Sequence, residues 1–246
     1  MDHPKTAEVL FAEAKKMGLQ PTWLTDYGLF SFPVEEKTGY VFYARNMFNS
    51  NLSGFLAIDK HATRTVLQQH HFPNIPYGMF STHEEVEQFL QQHQMIVAKP
   101  VFGSTSKDVH VIRSSAEIPD IPFDKYIFEK FIKGREMRYL VFQSNVVAVH
   151  EKSYEGLINI PAKVRRIAYP KKQWDERLVQ LSEQITDTLF MKFAAVDYLI
   201  DDNGKAFFLE VNSSPGLYFF EHPTSGPGIN IARMFLEETV KAIKKK

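Results

Sequence analysis

Apolar residues recur at helical spacing in five parts of the chain. The first predicted helix covers residues 5–17, carries Val9, Leu10 and Ala14 on one face, and ends at Gly18. The other predicted helices begin near Asp59 or cover residues 82–93, 174–191 and 229–244, with Asp59 and Thr82 as N-caps. These helices account for the longest periodic stretches of the sequence.

Shorter apolar runs, bounded by turn residues, predict strands between the helices. The predicted strands cover residues 22–25, 29–32, 40–43, 95–99, 109–113, 126–131, 136–142, 146–152, 194–200 and 206–211. Residues 46–54 are predicted to form a loop and residues 73–78 a turn. Clusters of strands that alternate with packed helices predict an α+β fold with mainly antiparallel sheets.

The composition excludes several classes of function. Lys plus Arg equals Asp plus Glu, at 29 each, so a general electrostatic grip on nucleic acid is not expected. The absence of cysteine rules out disulfides, thiolate catalysis and cysteine-based zinc sites. No apolar run approaches the ~18 residues of a membrane span, and the first residues lack the apolar core of a signal peptide. We therefore expect a cytoplasmic protein without a membrane partner.

The most informative segment is a predicted hairpin near the C-terminus. Asn203-Gly204 lies between two apolar runs and is a strong signal for a two-residue turn. This turn would pair Asp202 with Lys205, place Asp197 directly opposite Glu210, and leave Asn212 on the same face as Glu210. The arrangement depends on the register, because a slip by one residue would move one carboxylate to the other face.

Two carboxylates that oppose each other on one sheet face repel, unless a cation lies between them. Asp197, Glu210 and Asn212 offer only hard oxygen ligands, which suit magnesium shared with phosphates. The alternative is a solvated sheet face that carries acidic residues by chance. This segment alone leaves both interpretations open.

A lysine ends the apolar strand that precedes a loop of small residues. Lys99 follows Ile96-Val97-Ala98, and the loop Phe102–Asp108 comes next. Small residues allow backbone N–H groups to approach an anion, and hydroxyls add donors. The loop lacks the spacing of a Walker A motif. The alternative is an ordinary serine-rich hairpin turn.

The segment Tyr126–Arg138 is predicted to be a strand, a bend at Gly134 and a second strand. Glu136 and Arg138 would share one face of the second strand. A backbone edge here could bind an adenine, and Glu136 could bind ribose hydroxyls. The alternative is a cross-strand ion pair at the surface.

Together these segments resemble the ATP-grasp family over about residues 59–240, in its carboxylate–amine ligase branch. The family pattern is an early lysine, a strand lysine with a Gly/Ser loop, a glutamate-rich hinge and a late metal set. Here these are Lys60, Lys99, the hinge 129–136, and Asp197 with Glu210-Val211-Asn212. The branch includes glutamate-adding ligases, glutathione synthetases, cyanophycin synthetase and D-alanine–D-alanine ligase.

The resemblance implies an ATP-grasp fold, in which two α/β subdomains with mainly antiparallel sheets grip ATP between them. It also implies a short N-terminal α/β segment over residues 1–58, followed by subdomains over 59–121 and 122–246. The implied cofactors are ATP and one or two Mg²⁺ ions, with Mn²⁺ as a substitute.

The resemblance further implies a role for individual residues. The implied ATP-binding residues are Lys60, Lys99, Gly103, Ser104, Thr105, Ser106, Glu129, Lys130, Ile132 and Glu136. Within this set the lysines at 60 and 99 would bind phosphates, the backbone of Glu129 and Ile132 would contact adenine, and Glu136 would contact ribose. The implied metal ligands are Asp197, Glu210 and Asn212, and the implied catalytic residues are Arg138, Lys152 and Asn159.

One segment departs from the family pattern. Relatives often carry an Arg shortly before an Asn, followed by a Gly pair, where the acyl phosphate is positioned. Lys152 and Asn159 have plausible counterparts, but the Gly pair is absent and Arg165-Arg166 lie later. This departure leaves the substrate, and the retention of ligase activity, open.

The function implied by the resemblance is ATP-dependent ligation of a carboxylate to an amine. The reaction would form an amide or peptide bond through an acyl phosphate and release ADP and phosphate. The expected partners are small carboxylate and amine substrates, including amino acids or a peptide. The short N-terminal segment also leads us to expect that a second copy, in a homodimer, or another protein completes the pocket. The alternatives are a phosphotransferase on the same fold and an inactive nucleotide-binding partner protein.

Overall fold

The computed structural model describes residues 5–45, 47–103, 108–154 and 164–245. The helices are α1 (Thr6–Lys16), α2 (Asn51–Ile58), α3 (Lys60–Gln69), α4 (His83–His93), α5 (Glu176–Thr188), α6 (Tyr218–Glu221) and α7 (Ile231–Lys245). The strands are β1 (Thr22–Trp23), β2 (Leu29–Val34), β3 (Lys37–Phe42), β4 (Tyr77–Met79), β5 (Ile96–Pro100), β6 (His110–Ile112), β7 (Tyr126–Lys130), β8 (Gly134–Phe142), β9 (Asn145–Tyr154), β10 (Val164–Tyr169), β11 (Phe193–Asp201) and β12 (Ala206–Asn212). The predicted α+β class is confirmed.

Both predicted helix caps are confirmed. The Asp59 carboxylate accepts a hydrogen bond from the Ala62 N–H at 2.9 Å. The Thr82 hydroxyl accepts one from the Glu85 N–H, and the Glu85 carboxylate accepts one from the Thr82 N–H in return. Each cap satisfies N–H groups that have no partner inside the helix, so α3 and α4 begin where the sequence predicts.

The predicted loop over residues 46–54 is wrong in its second half, because α2 begins at Asn51. Gly54 and the polar residues before it are typical of a loop, but Leu52 and Phe55 belong to the apolar helix α2. The strand β10 was not predicted. Arg165-Arg166 interrupts the alternation of apolar residues there, and the strand is defined instead by its antiparallel pairing with β9.

The described residues form two compact units, each built from separate parts of the chain. The first unit comprises Met1–Ser50, Met137–Val196 and Asn212–Lys246, and the second comprises Asn51–Glu136 and Asp197–Val211. The chain therefore passes from one unit to the other within β8, β11 and β12. The division into segments 1–58, 59–121 and 122–246 stays a prediction.

The first unit has one apolar core shared by its N-terminal and C-terminal parts. The antiparallel sheet β1-β2-β3 contributes Phe30 and Phe32 to this core. Helix α1 contributes Leu10, and helix α7 contributes Phe235 and Leu236. The N-terminal residues are thus held by the same hydrophobic burial as the last helix.

The second unit is organised around the antiparallel sheet β4-β7-β5-β6. Helix α4 packs Val86 and Leu90 against Ile96, Ala98 and Phe128 of this sheet. Strand β7 is an interior strand, with β4 on one side and β5 on the other. Its central residues are consequently removed from water on both sides.

A five-stranded sheet has the order β10-β9-β8-β11-β12, which makes β12 an edge strand.

Within the described ranges, every helix is too short or too polar to span a bilayer.

Gly134, at the start of β8, offers a test of the strand packing. A Cβ atom at this position would lie 2.2 Å from the Ile200 carbonyl oxygen of β11, so backbone would have to move. We expect Gly134→Ala to lower the free energy of unfolding by about 2 kcal/mol, measured by urea denaturation. Gly54→Ala is the control, because a Cβ there meets nothing within 4 Å and Ala raises helix stability by about 0.5 to 1 kcal/mol. Equal destabilisation of both variants would contradict the packing described.

Candidate functional site

A buried carboxylate lies at the centre of the second unit. Glu129 occupies the interior strand β7, opposite Tyr77 of β4 and Val97 of β5, and it is 1% exposed. Burial of an ionised carboxylate is unfavourable unless cations and hydrogen-bond donors replace the lost water. The side chains that meet Glu129 therefore determine whether this sheet can form.

Two cations meet the Glu129 carboxylate, one at each oxygen. Arg64 of α3 donates to Oε1 from Nε at 2.9 Å and from Nη2 at 2.5 Å. Lys99 of β5 donates to Oε2 from Nζ at 2.8 Å. Burial raises the pKa of Glu129, but the charges of Arg64 and Lys99 outweigh it and hold the pKa at about 2. The carboxylate is thus ionised at neutral pH.

The same arginine holds the backbone of β12. Its Nη1 donates to the Phe208 carbonyl oxygen at 2.7 Å, and its Nη2 donates to the Leu209 carbonyl oxygen at 2.8 Å. Nη1 also donates to the Asn74 side-chain oxygen at 3.1 Å. Leu209 immediately precedes Glu210, so Arg64 fixes the main chain next to a predicted metal ligand.

Sequence reasoning missed Arg64, although a signal was present. Thr63, Arg64 and Leu67 are the buried residues of α3, and their spacing follows one helix face. A charged residue on the buried stripe of a helix indicates a buried ionic partner. Its partner, Glu129, is 65 positions away, and nothing in the local sequence connects them.

Lys60, the first residue of α3, lies beside Lys99. Its Nζ donates to the Pro100 carbonyl oxygen at 3.0 Å and to the Gly103 carbonyl oxygen at 2.7 Å. Burial lowers the pKa of Lys60, and the positive charge of Lys99 lowers it further, while Glu210 opposes the shift. The structure thus brings two other predicted site residues, Lys99 and Glu210, within electrostatic reach of Lys60.

The loop after β5 begins at Gly103, which has φ of +123°. Lys60 fixes this start of the loop through the Gly103 carbonyl. Ser104, Thr105 and Ser106 lie outside the described residues, as does Asn159.

The predicted register of the β11–β12 turn is wrong. The Asp201 N–H donates to the Lys205 carbonyl oxygen, and the Gly204 N–H donates to the Asp201 carbonyl oxygen. This is a three-residue loop with a bulge, and it pairs Lys205 with Asp201, not with Asp202. Within residues 201–205 only Gly204 has a positive φ, of +77°, whereas the predicted two-residue turn requires a positive φ at Asn203 as well.

The Asp201 carboxylate stabilises this turn. Its Oδ1 accepts hydrogen bonds from the N–H groups of Asn203 and Lys205. Counted outward from the observed pair in a regular ladder, Leu209 lies opposite Asp197. The direct opposition of Asp197 and Glu210 therefore does not follow from the turn.

The three predicted metal ligands differ in their surroundings. Asp197 is fully buried on β11, and Glu210 is half-buried on β12. The Asn212 side-chain oxygen accepts a hydrogen bond from the Ser214 N–H at 2.9 Å. The described residues contain no group of three or more His, Asp or Glu that could hold a metal ion. Two carboxylates and an amide fit magnesium only if phosphates or water complete its oxygen shell.

The predicted contact between adenine and the Glu129 backbone does not fit the structure. Residues 73–78 were predicted as a turn, but Tyr77–Met79 forms β4 and covers that edge of β7. The Lys130 N–H donates to the Pro76 carbonyl oxygen at 2.8 Å, and the Phe131 N–H donates to the Met95 carbonyl oxygen at 2.9 Å. The roles of Lys130, Ile132 and Glu136 stay predictions.

The first unit contains a cluster of basic residues on β8, β9 and β10. Lys152 is buried and lies directly opposite Arg166 in the β9–β10 ladder. His150 is 2% exposed, and its Nε2 has no hydrogen-bond partner among the residues that the structure describes. Burial, then the charges of Arg166 and Arg138, lowers the pKa of His150 to about 4. The predicted catalytic residues Arg138 and Lys152 thus share this region with Arg166 and His150, and the low pKa of His150 leaves it uncharged at neutral pH.

The Glu129 ion pairs predict a distinctive acid response. A carboxyl group with a lowered pKa stabilises the fold above its unfolded pKa of 4.5, and this stabilisation is lost as pH falls toward about 2. The shift corresponds to about 3 kcal/mol. Between about pH 5 and about pH 2, we expect the free energy of unfolding of the wild type to fall by about 3 kcal/mol more than the free energy of unfolding of Glu129→Gln.

Glu117→Gln is the matched control for this comparison. Its ion pair with Arg113 is exposed, so its pH profile should follow the wild type within about 0.5 kcal/mol. Parallel profiles for the wild type and Glu129→Gln would contradict the lowered pKa.

The chain is similar to several known proteins. The D-alanine--D-alanine ligase of Aquifex aeolicus (strain VF5) is 24% identical over 183 residues, which is 69% of this chain and 62% of that enzyme. The crystal structure of a bifunctional glutathione synthetase from Pasteurella multocida has a TM-score of 0.74 at 14% identity, covering 96% of this chain and 44% of that one. The ATP-grasp ligase PsnB complexed with minimal precursor has a TM-score of 0.65 at 16% identity, covering 79% of this chain and 62% of that one.

These similarities establish the fold, and the matches cover less than two thirds of the length of these relatives. The family model for the RimK-like ATP-grasp domain matches residues 57–239. This range includes most of the chain and the whole of the second unit from α3 onward. The chain belongs to the RimK-like ATP-grasp domain family.

Proposed function

We propose that the protein is an ATP-dependent carboxylate–amine ligase that releases ADP and phosphate. The observation that carries the proposal is the pair of neighbouring ammonium groups, Lys60 and Lys99, anchored beside Glu210. The positive charge of Lys99 contributes to the lowered pKa of Lys60, and a polyanion between the two ammonium groups would offset their repulsion. A nucleotide triphosphate is such a polyanion.

The anchoring of the lysines supports phosphate binding. Lys99 is held at one Glu129 oxygen, and Lys60 is held at two carbonyl oxygens, so neither ammonium has to be ordered when ATP binds. Phosphoryl transfer depends mainly on positioning and on stabilisation of charge. The two lysines would stabilise negative charge on the transferred phosphoryl group.

Asp197, Glu210 and Asn212 would hold one or two Mg²⁺ ions, with Mn²⁺ as a substitute. All three offer oxygen ligands, and their small number leaves room for phosphate oxygens in the shell. When bound, the metal would neutralise phosphate charge and polarise the phosphoryl oxygens.

The remaining ATP contacts follow from the resemblance. We propose that the Ile132 backbone contacts adenine, that Glu136 contacts ribose, and that Lys130 belongs to the ATP-binding set. The loop after Gly103, with Ser104, Thr105 and Ser106, would cover the triphosphate.

The cationic cluster of the first unit would hold the carboxylate substrate. Arg138 and Lys152 would bind its carboxylate and stabilise the acyl phosphate formed from it, with Asn159 as a further contact. Arg166 adds positive charge to this region, whereas His150, with its pKa lowered to about 4, is uncharged at neutral pH. The attacking amine would then displace phosphate and form an amide bond.

We propose that the carboxylate and amine substrates are amino acids or peptides. The names of the similar proteins support it, because they include a D-alanine--D-alanine ligase, a glutathione synthetase and a ligase bound to a precursor.

A substrate screen tests the proposal. ADP release from Mg-ATP is measured against pooled amino acids, dipeptides and small polyacids, and each active pool is analysed by mass spectrometry. A product equal to two components minus water supports a ligase. A phosphorylated acceptor would establish a phosphotransferase instead. Mg²⁺-dependent ATP binding without turnover in any pool would point to a protein substrate outside the pools or to an inactive nucleotide-binding protein.

The metal assignment predicts the effect of two substitutions. Asp197→Asn and Glu210→Gln remove one carboxylate each while preserving side-chain shape. We expect each to lower turnover by about a hundredfold or more, because the ion loses a charged ligand. The measurement is ADP release under saturating substrate, with circular dichroism to show that the fold persists.

Asp202→Asn is the control, since Asp202 lies exposed in the same hairpin. It should retain activity close to that of the wild type. Normal turnover in both Asp197→Asn and Glu210→Gln would contradict the assignment of Asp197 and Glu210 as metal ligands.

A further inference from the structure

We propose that Arg64 is a positioning residue that couples the phosphate-binding Lys99 to the strand that carries Glu210. The inference rests on the proposed function, because it concerns how the lysine and the metal ligand are held. Arg64 is 2% exposed and acts through Glu129 and the β12 backbone, so it is not a catalytic residue.

The first part of the coupling is electrostatic. Arg64 occupies Oε1 of Glu129 with two donors and leaves Oε2 to Lys99. Without the guanidinium, the ammonium of Lys99 would be the main counter-charge and would be drawn over both oxygens. Arg64 therefore confines Lys99 to one side of the carboxylate and neutralises Glu129, so that the charge of Lys99 stays available to an anion.

The second part is geometric. A guanidinium is planar and carries five donors in fixed directions. One such plane reaches the Glu129 Oε1 and the carbonyl oxygens of Phe208 and Leu209. Because Glu210 follows Leu209 directly, this plane sets the position of the β12 backbone relative to Glu129, and through Glu129 relative to Lys99.

Neighbouring residues reinforce the plane. Asn74 accepts from Arg64 Nη1 at 3.1 Å, and its side-chain amide donates to the Arg64 carbonyl at 3.2 Å. The Phe208 N–H donates to the Pro73 carbonyl oxygen, and the guanidinium lies 5.2 Å from the centre of the Phe208 ring. The edge strand β12 is thereby tied to α3 and to the segment that follows it.

A purely stabilising role for Arg64 makes a different prediction from a positioning role. If Arg64 only stabilised the fold, the folded fraction of a variant would bind nucleotide with the wild-type dependence on Mg²⁺. If Arg64 positions Lys99 and Glu210 together, a variant would lose the gain in affinity that Mg²⁺ provides. The ratio of Kd without and with Mg²⁺ separates the two roles.

Arg64→Lys is the informative variant. Lysine keeps the charge, but its single nitrogen cannot serve Glu129 and two carbonyl oxygens at once. The measurement is calorimetric titration with a non-hydrolysable ATP analogue, once with excess Mg²⁺ and once with a chelator. We expect the Kd ratio to fall about tenfold in Arg64→Lys relative to the wild type, while the Kd with chelator changes much less.

Two further variants keep the test decisive. Asn74→Ala removes one support of the guanidinium plane without leaving a charge unpaired, and it should lower the ratio about threefold even if Arg64→Lys fails to fold. Arg113→Lys, at an exposed position of the same unit, should leave the ratio unchanged.

The outcomes distinguish the inference from the function on which it rests. A wild-type protein that binds no nucleotide under either condition would overturn both. The coupling alone would be overturned if the wild type binds nucleotide in a Mg²⁺-dependent way and Arg64→Lys has the same Kd ratio as the wild type. Where Arg64→Lys does not fold, an unchanged Kd ratio in Asn74→Ala would overturn it.

Discussion

The ionised carboxylate of Glu129 is the constraint on which the second unit depends. A charge on an interior strand is tolerated only where cations replace the hydration it has lost. Arg64 and Lys99 meet that requirement from two different elements, α3 and β5. Because Arg64 also binds the β12 carbonyls, one buried charge determines how a helix and strands from two sheets are arranged.

This constraint has a functional consequence. The buried carboxylate fixes Lys99 without requiring any ligand, and Lys60 is fixed nearby by backbone carbonyls. Charges that are already oriented need no reorganisation when a phosphate is transferred, and this is a main source of electrostatic catalysis. In the proposed function, the same interactions that allow the sheet to form would prepare the ammonium groups for a polyphosphate.

The sequence predicted the elements that depend on local chemistry. Asp59 and Thr82 begin helices because a side-chain oxygen caps neighbouring N–H groups, and the apolar strand before Lys99 needs no distant partner to be recognised. The role of Arg64 was missed, because its partners Glu129 and Leu209 lie 65 and 145 positions away. The register at Asn203-Gly204 was wrong, since that dipeptide serves two turn types, and the Asp201 carboxylate selects the bulged one. The edge of β7 was misjudged for a similar reason, because the sequence does not show that β4 covers it.

The central claim is that one nucleotide–metal site joins the lysines of the second unit to its carboxylates. Crystals grown with a non-hydrolysable ATP analogue and Mn²⁺ test it most directly, because anomalous scattering locates the metal independently of the protein fit. The account predicts Mn²⁺ bound by Asp197 and Glu210, with phosphate oxygens in its shell and within hydrogen-bonding distance of Lys99, while Glu129 keeps its bond to Lys99. Metal and phosphates located away from Lys99 and Glu210 would contradict the account.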